Sequence, residues 1–233
     1  MAKKKAPLCS KCPKVICLSS IKADEKIILE NAPDFCPMTN MTDTLEIALS
    51  EYDRPDVMEF ARQASIQEFE CYERTPEGTR ANNPRIVETI EFAKKCGYQK
   101  IGLAFCGGLS GEAKILTDVL EGHGFEVVSV CCKAGGIPKE RIGIKPEQKI
   151  RGADRFEPMC NPIFQAEALN EEKVDFAIML GLCVGHDTLF IKHCRVPMTV
   201  IAVKDRVTGH NPLAALYTIN SYYSPLKARK KEK

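Results

Sequence analysis

The spacing of apolar and polar positions changes twice along this chain. Up to residue 40 there is no sustained period. The one apolar run, Ile27-Ile28-Leu29, stands among four prolines and four cysteines. From 41 to 82, Met58, Ala61, Ser65, Phe69 and Tyr72 recur at roughly helical spacing, and Pro76 and Gly78 end the pattern. After 83 the grammar is that of alternating helices and strands. Asn83-Pro84 reads as an N-cap followed by a first-turn proline, Ile86, Val87, Ile90 and Ala93 as the buried stripe, and Gly97 as the stop. Ile101–Phe105 reads as a strand, Ile115, Leu116, Val119 and Leu120 as a helix stripe ended by Gly122 and Gly124, and Phe125–Val130 as a second strand. Asn161-Pro162 opens another helix, Asp175–Leu180 is a third strand, Asp187 caps a short helix, and Met198–Val203 is a fourth strand.

Strands that are continuously apolar and alternate with helices belong to a parallel sheet covered on both faces. The expected fold is therefore α/β, a doubly wound, mostly parallel Rossmann-like sheet over residues 83–233. It is preceded by a small Cys-rich metal-binding module (1–40) and a helical segment (41–82). Residues 133–159 carry little periodicity, and a loop of that length in a compact domain reads as a lid. The basic tail, Lys227–Lys233, reads as a solvated end.

Composition narrows the class. A net charge of +2 over 233 residues gives no global field for nucleic acid or a membrane surface. No apolar stretch approaches the roughly 18 residues a membrane helix needs. Met1-Ala-Lys-Lys-Lys is basic, but no apolar run follows it, so it does not read as a secretory signal and the expected location is cytoplasmic. In a reducing compartment, twelve cysteines point to metal or redox chemistry rather than disulfides. Cys71, Cys96 and Cys194 fall inside or at the end of helical patterns and read as packing.

Two cysteine sets remain. Cys9-x2-Cys12-x4-Cys17, with Cys36-Pro37 further on, forms a four-sulfur set in a segment too poor in apolar residues to fold without help. Four thiolates suit tetrahedral zinc or a 4Fe-4S cluster, and a close triplet plus a distant Cys-Pro is nearer to iron–sulfur spacing. The second set emerges from topology. Ligands of an open parallel sheet bind beyond the carboxyl ends of its strands. Cys106 follows the first strand, Cys131-Cys132 the second and Cys183 the third, while Cys160 precedes the Asn161-Pro162 helix start. With neighbouring strands about 4.8 Å apart, Cys106, Cys132, Cys160 and Cys183 are expected to gather around one cluster. Cys131 and Cys132 face opposite ways. Cys132 is the preferred ligand, and Cys131 is the alternative.

Other polar groups stand at the same edge. Gly107, Gly108 and Ser110 open a helix and offer backbone N–H groups to an anion or cofactor, without matching a Walker loop or a dinucleotide fingerprint. His186, Lys204, Arg206 and His210 follow the third and fourth strands and are candidates for acid–base work and an anion clamp. The plainer reading of Lys204-Asp205-Arg206 is a surface ion-pair network.

Met159–Ala166, Gly181–Asp187, Val203–Val207 with Gly209–Pro212, Phe105–Leu109 and the cysteine-rich amino terminus resemble a family of uncharacterised proteins of anaerobic bacteria and archaea, usually labelled predicted metal-binding proteins. That resemblance implies a bound metal and carries no reaction with it. The functional expectation is a cysteine-ligated metalloprotein with one or two iron–sulfur (4Fe-4S) clusters per chain, zinc being the alternative at the amino-terminal set. It would perform a redox or cluster-assisted reaction on a small anionic substrate, with a redox partner protein in reach. The alternatives are an enzyme using Cys183 as nucleophile with His186 or His210 as base, and a non-enzymatic electron carrier or redox sensor.

Overall fold

The protein is described from a computed structural model, which covers residues 5–18 and 27–227. The first four residues and the tail beyond Lys227 lie outside the described residues. Two compact units divide the chain, one up to Ser65 and one from Ile66 onward.

The first unit is thinly packed. Two short 3-10 turns, Cys9–Lys11 and Ile16–Leu18, are followed by α1 (Pro37–Asn40), α2 (Thr42–Tyr52) and α3 (Pro55–Glu70), the last running past the division. α1 starts directly after Cys36, because Pro37 supplies a preset φ and no N–H that would need a partner. Among the described residues up to Ser65, only Ile16 and Cys36 are buried. Val15 adopts a left-handed backbone (φ 43°), a conformation that costs a β-branched residue about 1–2 kcal/mol.

The second unit opens with a hairpin, β1 (Tyr72–Thr75) paired antiparallel with β2 (Gly78–Ala81). The helical reading of residues 41–82 is thus corrected at its end. Gly78, at φ 132°, lets the chain turn back after Pro76, and Asn82 N–H donates to Cys71 O to close the base. Then come α4 (Arg85–Lys95), β3 (Lys100–Phe105), α5 (Ser110–Gly122), β4 (Glu126–Cys131), α6 (Pro162–Glu171), β5 (Phe176–Leu180), α7 (His186–His193), β6 (Met198–Ala202) and α8 (Leu213–Tyr217).

The four long-range strands pair in parallel in the order β4-β3-β5-β6. One face of the sheet carries Ile101, Leu103 and Ile178 against α4 (Ile90, Ala93) and α5 (Ala113, Leu116, Leu120). The other carries Ala104, Ala177 and Met179 against α6 (Ala166, Leu169) and α7 (Phe190). The sheet is therefore doubly wound, and its winding reverses between β3 and β5, the place where open α/β sheets leave a crevice. Gly102 on β3 lets α6 approach closely, since a Cβ there would stand 2.8 Å from Leu169 Cδ1.

Both helix-start expectations near prolines were tested by geometry. Asn161 does cap α6, its Oδ1 accepting from Phe164 N–H. Asn83 does not cap α4. Pro84 takes the cap position, and the Asn83 amide donates to Glu91 instead. Asp187 is likewise not a cap. Gly185 holds that position, and the Asp187 carboxylate accepts from Thr188 N–H. Ile86 and Ile115, expected in buried stripes, lie exposed.

The loop 133–159 has a framework of its own. Pro138 and Pro158 bridge its base, and Glu157, buried, pairs with Lys139 at 2.6 Å and accepts from Arg151 N–H. No helix of the described residues is long and apolar enough to cross a membrane.

Candidate functional site

The carboxyl ends of the strands gather the sulfurs. Phe105 of β3 and Cys131 of β4 are register partners, so Cys106 and Cys132 leave the sheet side by side. The next link is Asn161, whose N–H donates to Cys132 O at 2.7 Å and so draws Cys160 to the end of β4. The Cys132 thiol shares side-chain hydrogen bonds with both Cys106 and Cys160. Gly107 N–H donates to Cys132 Sγ at 3.3 Å, and Gly108 N–H hydrogen-bonds with Cys106. These loop amides therefore serve the thiols themselves, and Ser110 lies exposed at the start of α5. Cys131 also lies by Gly107, its Sγ 3.3 Å from the ideal Cβ position there, and packs partly buried against the same apolar cluster as Cys132.

Cys183 enters from the far side of the crevice. After β5, Gly181 turns the chain with φ 70°, and a side chain there would overlap Leu109, whose Cδ1 is 2.0 Å from the ideal Cβ position. Cys183 Sγ accepts a hydrogen bond from Arg206 Nη2 at 3.2 Å.

The charges around these sulfurs have one sign. Lys133 hydrogen-bonds with Cys160 and donates to Pro158 O, Lys204 lies beside Cys106 and Gly108, and Arg206 faces Cys183, Cys106 and Cys160. Hydrogen bonding from Cys132, helped by the Gly108 amide and the charges of Lys204 and Arg206, holds the Cys106 thiol down at about 5 against the cost of burial. Cys160 is held down to about 5, first by Cys132 and then by Lys133 and His186. Cys132 is pushed far up by the same two hydrogen bonds and by burial. One S–H serves one acceptor at a time, so Cys132 keeps its proton and at any moment supports the thiolate of either Cys106 or Cys160.

The remaining candidates have other neighbours. His210 Nδ1 accepts from Asp205 N–H at 3.1 Å, and His210 N–H donates back to Asp205 O. Its ring therefore pins the turn after β6. Asp205 does not join a surface ion-pair network, because its carboxylate accepts from Val207 and Thr208 N–H. His186 Nδ1 is buried without a hydrogen-bond partner. Two residues escaped the sequence reading. Lys133, which hydrogen-bonds with Cys160, is the first, and no motif marks it. Gln165, fully buried on α6, donates to Phe105 O and Val130 O and so ties the ends of β3 and β4 together. A glutamine on the apolar face of a helix was the available signal.

In the first unit, Cys9, Cys12, Cys17 and Cys36 all line one cavity of about 260 Å³, with Ile16, Phe35 and Met38 among its walls. The backbone N–H groups of Lys14, Val15 and Ile16 turn towards Cys12 and lower its pKa. Cys9 and Cys17 are exposed. Cys71 and Cys194 are packing residues, as expected. Cys71 donates to Gln67 O, and Cys194 sits against the α6–α7 core. Among the described residues, no three His, Cys, Asp or Glu side chains already stand around a common ion position.

Comparison with known sequences agrees with the resemblance. The family model described as protein of unknown function (DUF1847) matches residues 36–201. The chain belongs to that family. Uncharacterized protein MJ0455 of Methanocaldococcus jannaschii is 44% identical over 181 residues, covering 78% of this chain and 86% of that protein. The DUF1847 match spans Cys36, Cys106, Cys132, Cys160 and Cys183, and stops short of Lys204 and Arg206.

Proposed function

We propose that this protein is a cysteine-ligated metalloprotein with an iron–sulfur cluster at the carboxyl edge of its parallel sheet. The residues that would hold it are Cys106, Cys132, Cys160 and Cys183, and a second soft-metal site would lie on Cys9, Cys12, Cys17 and Cys36. The observation that carries this reading is the gathering of Cys106, Cys132 and Cys160 at one sheet edge ringed by Lys133, Lys204 and Arg206, with Cys106 and Cys160 held low while Cys132 keeps its proton. Metals bind thiolate rather than thiol, so a site that ionises its sulfurs in advance lowers the proton cost of loading. The cations offset the negative charge of several thiolates, and N–H···S bonds such as that from Gly107 tune the potential of a sulfur-ligated centre.

When bound, the cluster would supply one-electron transfer or a Lewis-acidic iron. The chain's own residues would supply the rest. Gln165 fixes the spacing of the strand ends, Cys132 and then Lys133 favour the thiolate of Cys160, and Lys204 and Arg206 face the crevice as an anion clamp. The fitting reaction is a redox or cluster-assisted step on a small anionic substrate.

Anaerobic purification followed by iron, zinc and acid-labile sulfide analysis tests this, with spectra before and after dithionite. About eight irons per chain correspond to two cubanes, and about four to one. Zinc without iron or sulfide would sink the redox reading. A second reading rests on the Arg206–Cys183 hydrogen bond, which also suits a cysteine nucleophile. Full activity of metal-free protein, abolished by alkylation of Cys183, would favour it.

A further inference from the structure

Cys183 is set apart from the other three sulfurs. Cys106, Cys132 and Cys160 hydrogen-bond among themselves, whereas Cys183 hydrogen-bonds with Arg206. The topology explains the difference. Cys106 and Cys132 leave adjacent, in-register strands, and the Asn161 amide fastens Cys160 to Cys132. Cys183 lies three residues beyond β5, past the left-handed Gly181, in a turn whose carbonyl already accepts from His186 and Asp187 N–H.

We propose that Cys183 is an exchangeable ligand. The centre would be held by Cys106, Cys132 and Cys160, and its fourth position would be taken by a small carboxylate substrate gripped by Arg206 and Lys204. The proposal rests on the metalloprotein reading above and adds to it which position is open and what class of ligand takes it. Arg206 is exposed and its hydrogen-bond partner here is a sulfur, and neither it nor Lys204 pairs with a carboxylate among the described residues. A guanidinium fork matches the two oxygens of a carboxylate, so one anion, Cys183 thiolate, would give way to another at the same cation. The exchange makes and breaks only metal–ligand and hydrogen bonds, and the displaced Cys183 thiolate takes up one proton from water, so the incoming carboxylate leaves the net charge of the site unchanged. A second observation marks the same mouth. His186, half-buried, lies near Cys160, and its buried Nδ1 has no hydrogen-bond partner among the described residues.

The test uses the full chain, loaded and purified anaerobically, with Cys106→Ala, Cys132→Ala, Cys160→Ala and Cys183→Ala compared by iron and sulfide content. Cys183→Ala is expected to keep the wild-type content, while each of the other three loses the strand-end share. Acetate, added to the reduced protein, is expected to change its electron paramagnetic resonance spectrum saturably. Arg206→Gln is expected to raise the acetate Kd by about tenfold or more. Circular dichroism and a parallel Cys183→Ser variant guard against misfolding. Equal iron loss in Cys183→Ala and Cys132→Ala would establish a closed four-sulfur shell, overturning this proposal and leaving the metalloprotein reading intact. Unchanged iron in all four variants would remove the centre itself. Retained iron with a spectrum indifferent to acetate would overturn the carboxylate assignment.

Discussion

The two cysteine sets stand in opposite settings. Cys106, Cys132 and Cys160 stand at the ends of strands whose positions are fixed by two apolar layers, and their thiols already touch one another, backbone amides and lysines. Cys9, Cys12, Cys17 and Cys36 line a cavity in a unit whose described residues bury only Ile16 and Cys36. At the sheet edge the fold makes the site. In the first unit, where apolar burial is too small to offset chain entropy, an ion would make the fold. Val15 fits this contrast, because a left-handed β-branched residue beside Cys12 needs something to compensate its strain.

The largest effect that could break the comparison is metal removal. Chelation under reducing, anaerobic conditions is expected to open residues 5–18 and 27–41 to limited proteolysis while the unit from Ile66 onward stays resistant. Equal resistance before and after would show that the first unit holds itself together without an ion.

A single methyl group probes the preformed site. Gly181→Ala combines a left-handed backbone with a Cβ 2.0 Å from Leu109 Cδ1, and the expected loss is roughly 3 kcal/mol, read from denaturant unfolding of the second unit. A loss below about 1 kcal/mol would mean that the edge of the sheet gives way easily and is less rigid than argued.

Thiol reactivity sharpens the contrast within the second unit. In metal-free, reduced protein near neutral pH, iodoacetamide is expected to label Cys160 far faster than Cys194, which burial pushes up. A thiol with pKa about 5 is almost wholly thiolate there, and an ordinary one is about one-hundredth so. The sign for stability follows. The depressed Cys160 value contributes stability that is complete above about pH 9 and is lost as pH falls towards 5, while the raised Cys132 value works against folding above about pH 9. Slow, uniform labelling of all twelve cysteines would contradict this.

The smallest effect concerns the loop 133–159. Glu157 is held down to about 2, chiefly by Lys139, so its contribution is complete above about pH 4.5 and is lost as pH falls through 2. Amide exchange across residues 139–157 is expected to quicken over that range in the wild type. In Glu157→Gln it is expected to be fast already at neutral pH. Identical exchange in the two proteins would remove Glu157 as the loop's anchor.

Much of the fold was legible because period and punctuation are local. The apolar runs at Ile101–Phe105 and Asp175–Leu180, with the helices between them, identified a parallel sheet to within a residue or two. The hairpin at Tyr72–Ala81 was not legible, since its strands are short, exposed and carry no alternation. Asn83 and Asp187 misled as caps because a cap-forming residue type competes with tertiary partners, here Glu91 for the one and a left-handed Gly185 for the other. Four sulfurs were expected together at the strand ends; Cys106, Cys132 and Cys160 stand as neighbours, and Cys183 hydrogen-bonds with Arg206 instead.

The order of residues alone determined which cysteines stand at strand ends, because strand period and punctuation are properties of adjacent residues; that Cys132 is the more buried of the pair Cys131 and Cys132 was left to the structure. Only the tertiary structure decided that Cys183 hydrogen-bonds with Arg206, that Lys133 serves Cys160 and that Gln165 ties two strand ends. Those contacts join residues from 23 to 60 positions apart. They depend on strand order, on the turn at Gly181 and on how closely α6 approaches β3, none of which leaves a period in the sequence.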